Sequence, residues 1–596
     1  MSGWTTWILF RLILRPRLLF RNSKEHGSQK AHCLENRMGD DRSAVSTGVG
    51  EECLPLKTLE ELLNFDAKKL APSSAIEPLR DRVRTPDGPR TLLCHDMMGG
   101  YLEDRFLQGS SKSDSYRFHH WHLIDTFVYF SHYLVTIPPV AWINAAHKHG
   151  VKVLGTFITE WESGTKILEE VRNSQATQKV ATQLASVAAA HGFDGWLINI
   201  ESALGEDCGQ FLEVLLSAIT AETHRVVPGS EVLWYDSILA SGKLDWQNEL
   251  NELNGRFFDR CDGIFLNYGW TEEHLERSAR FAGDRRWDVY VGVDVWARKT
   301  KYAGGYDTYK AVAAARKHGL SAAIFAPGWV FEMEDRALFT ENQYRLWNFP
   351  SGCSRRCKFT TLPISTTFCQ GFGKKAFQDG KVVKNEGWFN LSRQELQPLD
   401  QGQGLCDGHG SATICVEDGF SGGGCLQLEF KPTGDTPEKE PYFRLFECEL
   451  PLEALRVSYT FKPAAVADDA ADEEADLALV LKLREEDGRC DLILGSSSID
   501  GTDRISVSRI GENAPENSSD GPQSGWCTRT YLVQHTGRVQ PPASVEEIGV
   551  QFSNKQRHQR CFLGRLVVER PKSARREPED LTIAAKRRRL EEPQTS

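Results

Sequence analysis

The residues best placed to do chemistry lie in Gly192-Phe-Asp-Gly-Trp-Leu-Ile-Asn-Ile-Glu201-Ser202. An amide, Asn199, and a carboxyl, Glu201, stand two positions apart there. The short apolar run Gly195–Ile200 follows a helical pattern and reads as a strand. Residues two apart on a strand share a face, so Leu197, Asn199 and Glu201 point one way. Trp196, Ile198 and Ile200 point the other. Glycoside hydrolysis commonly uses two carboxylates. Here an amide stands where the second would be, which suits a substrate-assisted route. The sugar's own 2-acetamido oxygen attacks the anomeric carbon. The protein then needs one proton donor for the leaving oxygen and one group to orient and polarise the acetamide. Spacing alone leaves open the plainer alternative of a solvated, ion-paired carboxyl at a strand end.

Such a pair needs a scaffold that presents strand ends. Eight apolar, β-branched or aromatic runs recur from Arg90 onward: Thr91–Cys94, Thr126–Phe130, Val151–Phe157, Gly195–Ile200, Glu231–Tyr235, Gly263–Asn267, Val289–Val293 and Ala322–Phe325. Helical patterns lie between them at Pro139–His149, Gly164–His191, Cys208–His224, Thr271–Ala282 and Thr308–His318. Eight alternating strand and helix units predict a (β/α)8 TIM barrel. An open doubly wound sheet would want a Gly-rich phosphate loop after its first strand. Met97-Met98-Gly99-Gly100 is not one.

Barrel chemistry sits at the carboxyl ends of the strands. In order these ends carry His95 and Asp96; His132; Glu160 and Trp161; Asn199 and Glu201; Trp234, Tyr235 and Asp236; Asn267, Tyr268 and Trp270; Asp294 and Trp296; and Trp329. Aromatic faces stack on sugar rings, and carboxylates and amides bind hydroxyls. The rim reads as a carbohydrate site. A non-catalytic barrel lectin is the alternative from another class. A chitinase-like hydrolase would want Asp-x-x-Asp-x-Asp-x-Glu on the fourth strand, and the Asp194, Asn199, Glu201 series departs from it.

Several blocks together resemble glycoside hydrolase family 85: His95-Asp-Met-Met-Gly-Gly-Tyr101, Phe130-Ser-His132, Gly192–Glu201, Trp234-Tyr-Asp-Ser237, Leu266-Asn-Tyr-Gly-Trp270 and Gly292-Val-Asp-Val-Trp296. The resemblance covers roughly residues 75–570. It implies cleavage between the two core GlcNAc residues of N-glycans, with retention, through an oxazoline intermediate. It implies Glu201 as general acid and then base, Asn199 as the group stabilising the reacting acetamide, and Tyr235 as an assistant at that centre. It implies Trp246, in Asp245-Trp-Gln-Asn248, and Trp270 as substrate-lining rings. Trp234 and Trp296 join them as candidate substrate-binding residues, as do His132, Asn267 and Glu160, for which a supporting role is an equal alternative. No cofactor and no metal are expected. The expected partners are N-glycans and glycoproteins as substrates, without nucleic acid or membrane, and the chain is expected to be a monomer.

The remaining chain frames this site. Residues 1–75 read as a flexible leader, 76–348 as the catalytic barrel, 349–571 as one or two β-sandwich domains of jelly-roll type, and 572–596 as a disordered charged tail. The β region is expected to support the barrel, with sugar binding as the alternative. Net charge is −11, which argues against a general nucleic-acid binder. Fifteen Cys without a repeating pattern fit reduced thiols and a cytosolic chain. Cys353 and Cys357 lack a second pair at zinc spacing. The apolar start, Trp4 to Phe20, is broken by Arg11, Arg15 and Arg17, and suits neither a signal peptide nor a spanning helix. It leaves a mitochondrial presequence as a minor reading, as Lys586-Arg-Arg-Arg589 leaves a nuclear signal.

Overall fold

The computed structural model describes residues 51–69, 76–85, 87–205, 208–298, 300–350, 352–432, 440–466, 475–486, 488–496, 504–513, 525–536 and 543–571. Eight parallel strands form its centre: β1 (Thr91–His95), β2 (Thr126–Tyr129), β3 (Lys152–Glu160), β4 (Gly195–Glu201), β5 (Glu231–Tyr235), β6 (Gly263–Leu266), β7 (Val289–Asp294) and β8 (Ser321–Phe325). Each pairs with the next, and β8 pairs back to β1, so the sheet closes. The chain is a (β/α)8 barrel followed by antiparallel sheets, as the strand and helix rhythm predicts.

Strand alternation divides the apolar residues between two cores. Leu92, Leu154, Leu197, Leu233, Phe265 and Tyr290 are among those filling the barrel interior. Phe127, Val153, Trp196, Ile198, Ile200 and Trp234 face outward into the layer shared with the helices. These helices include Val140–Lys148, Ser174–His191, Cys208–Val226, Glu272–Ala282 and Thr308–Lys317. The stretch expected as one helix over Gly164–His191 is two, Trp161–Glu170 and Ser174–His191, with Asn173 capping the second by accepting from Ala176 N. Two glycines let β4 sit where it does. Gly195 has φ 138°, and a Cβ there would lie 1.9 Å from the Glu231 carbonyl oxygen of β5. A Cβ on Gly164 would lie 2.1 Å from Ser202 Oγ, so only glycine admits the helix so close behind Glu201.

The leader expected over 1–75 departs from the structure within 51–69. Thr58 and Glu61 form a capping box that starts the helix Leu59–Leu63. Leu59 and Leu62 are buried in the barrel's outer layer, and Gln183 Nε2 donates to Leu63 O and Phe65 O. Three-residue spacing places both leucines on one helix face, and their burial fixes the segment. The N-terminal apolar run, the presequence reading and the basic tail lie outside the described residues.

The β region is one sandwich with two small additions. A six-stranded sheet and an eight-stranded sheet share a single core. Phe443, Leu479 and Ile548 enter it from the first, and Leu428, Tyr459 and Leu563 from the second. The division between barrel and sandwich does not follow chain order. The strand Arg82–Thr85, which precedes the barrel, pairs with Arg356–Phe359 at the edge of the six-stranded sheet. Trp388–Gln394 pairs with Gln370–Gly373, and its Phe389 and Leu391 pack in the barrel's outer core. Two-residue alternation marks strands locally but carries no information about which sheet receives them.

Candidate active site

β4 delivers Asn199 and Glu201 to the mouth of the barrel. Leu197, one step below them on the same face, is in the interior core, and Ile198 and Ile200 are in the outer layer. The inward face predicted from alternation is the observed one. Asn199 is buried, and its Oδ1 has no hydrogen-bond partner. Glu201 is half-buried at the strand's end. Burial, and then the charge of Glu160, push the Glu201 carboxyl up to about 7. Hydrogen bonds from Trp246 and Asn199 and the charge of His132 pull in the other direction. A carboxyl so placed can hold a proton near neutral pH and release it there.

Glu160 ends β3 directly beside Glu201, its partner in the β3–β4 register. It pairs with His132 Nδ1 at 3.1 Å. Burial opposes the imidazolium, yet the Glu160 hydrogen bond and charge prevail and raise the His132 pKa. Trp161 follows Glu160 in a left-handed backbone conformation, φ 57°, and is 62% exposed. Non-glycine residues rarely adopt that region. The conformation stands an indole at the rim.

β5 supplies Tyr235 on the inner face and Asp236 just beyond it. Burial, together with nearby Glu201 and Asp236, raises the Tyr235 pKa well above its ordinary value, so its phenol stays neutral. The Tyr235 hydroxyl donates to Asn267 Oδ1 at 3.0 Å, and Asn267 Nδ2 donates to Asn248 Oδ1 at 2.8 Å. Asp236 is buried and accepts from Asn248 N at 2.7 Å, Asn254 Nδ2 at 3.0 Å, Gln247 N at 3.3 Å and Asn267 N at 3.4 Å. It fastens the long β5–β6 connection across the mouth. That connection carries Trp246, whose Nε1 donates to Glu201 Oε1 at 3.1 Å.

The structure therefore gathers Asn199, Glu201, Tyr235, Trp246, His132, Glu160 and Asn267 around the strand ends. Trp296 is half-buried past β7, where its backbone N–H donates to Asp294 Oδ1 at 3.1 Å and the Arg298 guanidinium lies 5.8 Å from its ring. Two expected sugar-facing residues are elsewhere. Trp234 is fully buried in the outer layer, stacked on Phe257 at 4.4 Å, because it alternates with the inward Leu233 and Tyr235. Trp270 is 3% exposed, its Nε1 donates to Gly292 O at 2.7 Å, and its ring lies against Tyr302. Its indole is committed to the fold. Asn248 is absent from the expected site, and Asp236, named among the strand ends, carries no role there. Asp236 stands at a strand end, and the local cue was a carboxyl in that position with no basic neighbour in sequence.

Comparisons with known proteins fit this geometry. The family model described as "Glycosyl hydrolase family 85" matches residues 101–376. A cytosolic endo-β-N-acetylglucosaminidase of Danio rerio is 40% identical over 524 residues, covering 84% of this chain and 69% of its own. The protein of that name from Gallus gallus is 51% identical over 343 residues, covering 57% of this chain and 47% of its own. The chain thus spans about half to two thirds of the length of these curated relatives. The glycoside hydrolase domain of Endo-D from Streptococcus pneumoniae R6 shares the fold, with a TM-score of 0.67 at 16% identity over 88% of this chain and 84% of that one. With the family model seated on the barrel and 40% identity to the Danio rerio protein over more than two thirds of its length, the chain belongs to glycosyl hydrolase family 85.

Proposed function

We propose that this chain is an endoglycosidase that hydrolyses the GlcNAc-β-1,4-GlcNAc bond of the N-glycan chitobiose core with retention, by substrate assistance. One observation carries the reading. Burial and the charge of Glu160 push the Glu201 carboxyl up to about 7, and two residues before it, on the same face, stands a buried amide with an uncommitted acceptor oxygen. In the first step the substrate's acetamide oxygen bonds to the anomeric carbon as the bond to the leaving oxygen breaks. Glu201 gives its proton to that leaving oxygen. Asn199 Oδ1 accepts from the acetamide N–H, which makes the acetamide oxygen a better nucleophile and stabilises the charge spreading over the forming oxazoline. The neutral Tyr235 hydroxyl, turning its proton from Asn267 Oδ1, donates at the same centre. In the second step the Glu201 carboxylate takes a proton from water, which opens the oxazoline from the other face. Two inversions give net retention.

His132 and Glu160 set the charge around Glu201, and Trp246 and Trp161 offer aromatic surface at the rim. N-glycans and glycoproteins are the substrates, and a single chain carries every group the route uses. The relatives named cytosolic, and fourteen described cysteines that are all free thiols, support a cytosolic site of action. Among the described residues no helix is long and apolar enough to cross a membrane. The test is mass spectrometry of the products from a defined N-glycopeptide, with Glu201→Gln as control. One GlcNAc left on Asn, and none released by the variant, supports the reading. Release of the whole glycan, or binding without release, overturns it.

A further inference from the structure

Gly410–Cys415 and Cys425–Phe430 are antiparallel neighbours in the eight-stranded sheet of the sandwich, and their register sets Cys415 opposite Cys425. The two thiols hydrogen-bond to one another. Cys425 is fully buried, and its single S–H is shared between Cys415 and Asp418 O, the latter at 3.4 Å. Cys415 is half-buried and open to solvent. The turn between them is tightly built. A Cβ on Gly424 would lie 2.2 Å from Cys415 O, and Asp418 is tied to Lys462 at 2.7 Å. That turn keeps the backbone N–H groups of Glu417 and Asp418 near the Cys415 sulfur, where they favour its thiolate. The Cys425 hydrogen bond first, and these two amides against the cost of burial, bring the Cys415 thiol down to about 6. Every other described cysteine with a shifted pKa is shifted upward, Cys425 first by its hydrogen bond to Cys415 and the others first by burial.

We propose that Cys415 and Cys425 form a dithiol redox site, with Cys415 as the attacking thiol and Cys425 as the resolving thiol toward small-molecule disulfides of the glutathione class. The reactive species is a thiolate, and redox-sensing cysteines pair exposure with a neighbouring resolving thiol. The Cys415 thiolate attacks one sulfur of glutathione disulfide, and one glutathione leaves and takes up a proton. The Cys425 thiol then loses its proton and attacks the Cys415 sulfur of the mixed disulfide, releasing the second glutathione. Two protein thiols are oxidised and one glutathione disulfide is reduced to two thiols. The reaction lies in the sandwich and uses no residue of the barrel mouth.

The test uses the full chain. Wild type is incubated with glutathione disulfide at neutral pH, alkylated, cut after Glu417, which separates the two cysteines, and analysed by mass spectrometry. The expected product is a disulfide joining the Cys415 and Cys425 peptides. Cys425→Ser should instead trap glutathione on Cys415, and Cys415→Ser should leave Cys425 unmodified. In a parallel measurement at neutral pH, iodoacetamide should alkylate Cys415 at least about ten-fold faster than Cys406, which is also half-buried but has a raised pKa. The proposal is overturned if Cys406 reacts as fast, if Cys425→Ser leaves Cys415 unmodified, or if the oxidised bond joins another pair, such as one involving nearby Cys369.

Discussion

Trp246 Nε1 donates to Glu201 Oε1 at 3.1 Å, although the two residues are 45 positions apart. The bond favours the carboxylate, whereas burial and Glu160 favour the acid. Deleting it should therefore raise the Glu201 pKa. A hydrogen bond to a charged group contributes about 1.5–3 kcal/mol, and one pKa unit is about 1.4 kcal/mol. Trp246 is 39% exposed, so solvent replaces part of the bond. In Trp246→Phe the basic limb of the kcat–pH profile should move up by about one unit or less. Because the ring remains, KM should change less than in Trp246→Ala. A basic limb that stays in place would refute the role given to the indole N–H.

Glu160 acts on the same carboxyl in the opposite sense. Its charge is the second-largest influence raising the Glu201 pKa, after burial. It also sustains the protonated form of His132, whose charge lowers the Glu201 pKa by a smaller effect. Glu160→Gln removes both, and the larger one decides the sign. The Glu201 pKa should fall, moving the basic limb to lower pH and reducing activity at pH 7 several-fold while sparing it near pH 5. A profile displaced toward alkaline pH would mean that His132 dominates instead.

The barrel and the strand that carries Asn199 and Glu201 are legible because both follow the two-residue period. The interior and exterior faces of β4 come directly from alternation, with Asn199 and Glu201 inward and Trp196 outward. The same rule places Trp234 outside the barrel, and it misleads only when a motif is read as a block rather than residue by residue. Trp270 follows its strand, where alternation no longer applies, and the Gly292 carbonyl that takes its N–H lies on β7, distant in sequence. Trp246 lies in a loop whose path depends on Asp236, so its contact with Glu201 was not derivable from spacing. The crossing of Arg82–Thr85 into the sandwich sheet rests on pairing with Arg356–Phe359, which no local pattern encodes.

Asn199 tests the chemical step itself. Its buried Oδ1 is uncommitted within the protein, so in the proposed route its value lies in what it accepts from substrate. Removing one preorganised group of this kind typically costs about 10²–10³ in kcat. Asn199→Ala should lose that much in glycopeptide hydrolysis. It should lose far less with a preformed sugar oxazoline, because that donor has already passed the step Asn199 assists. Equal losses on both donors would place Asn199 in the structure of the mouth rather than in oxazoline formation.

Asp236 ties stability to the site. Burial raises its pKa to about 6, from an ordinary 3.8, against the hydrogen bonds from Asn254, Asn248, Gln247 and Asn267. The folded state then binds more protons than the unfolded chain between these values. Stability from this group is greatest below about pH 4, declines as pH rises to about 6, and is level above. Two units correspond to roughly 3 kcal/mol. Asp236→Asn abolishes this titration but turns an amide NH2 toward donors that need an acceptor, at a cost of about 1–3 kcal/mol. Denaturation of the variant should therefore show a larger deficit against wild type at pH 4.5 than at pH 7. Because the fastened loop carries Trp246, kcat/KM should also fall about ten-fold, with the basic limb moving upward as in Trp246→Phe. A deficit independent of pH would show that Asp236 is already ionised throughout this range, and an unmoved basic limb would separate the clasp from the position of Trp246.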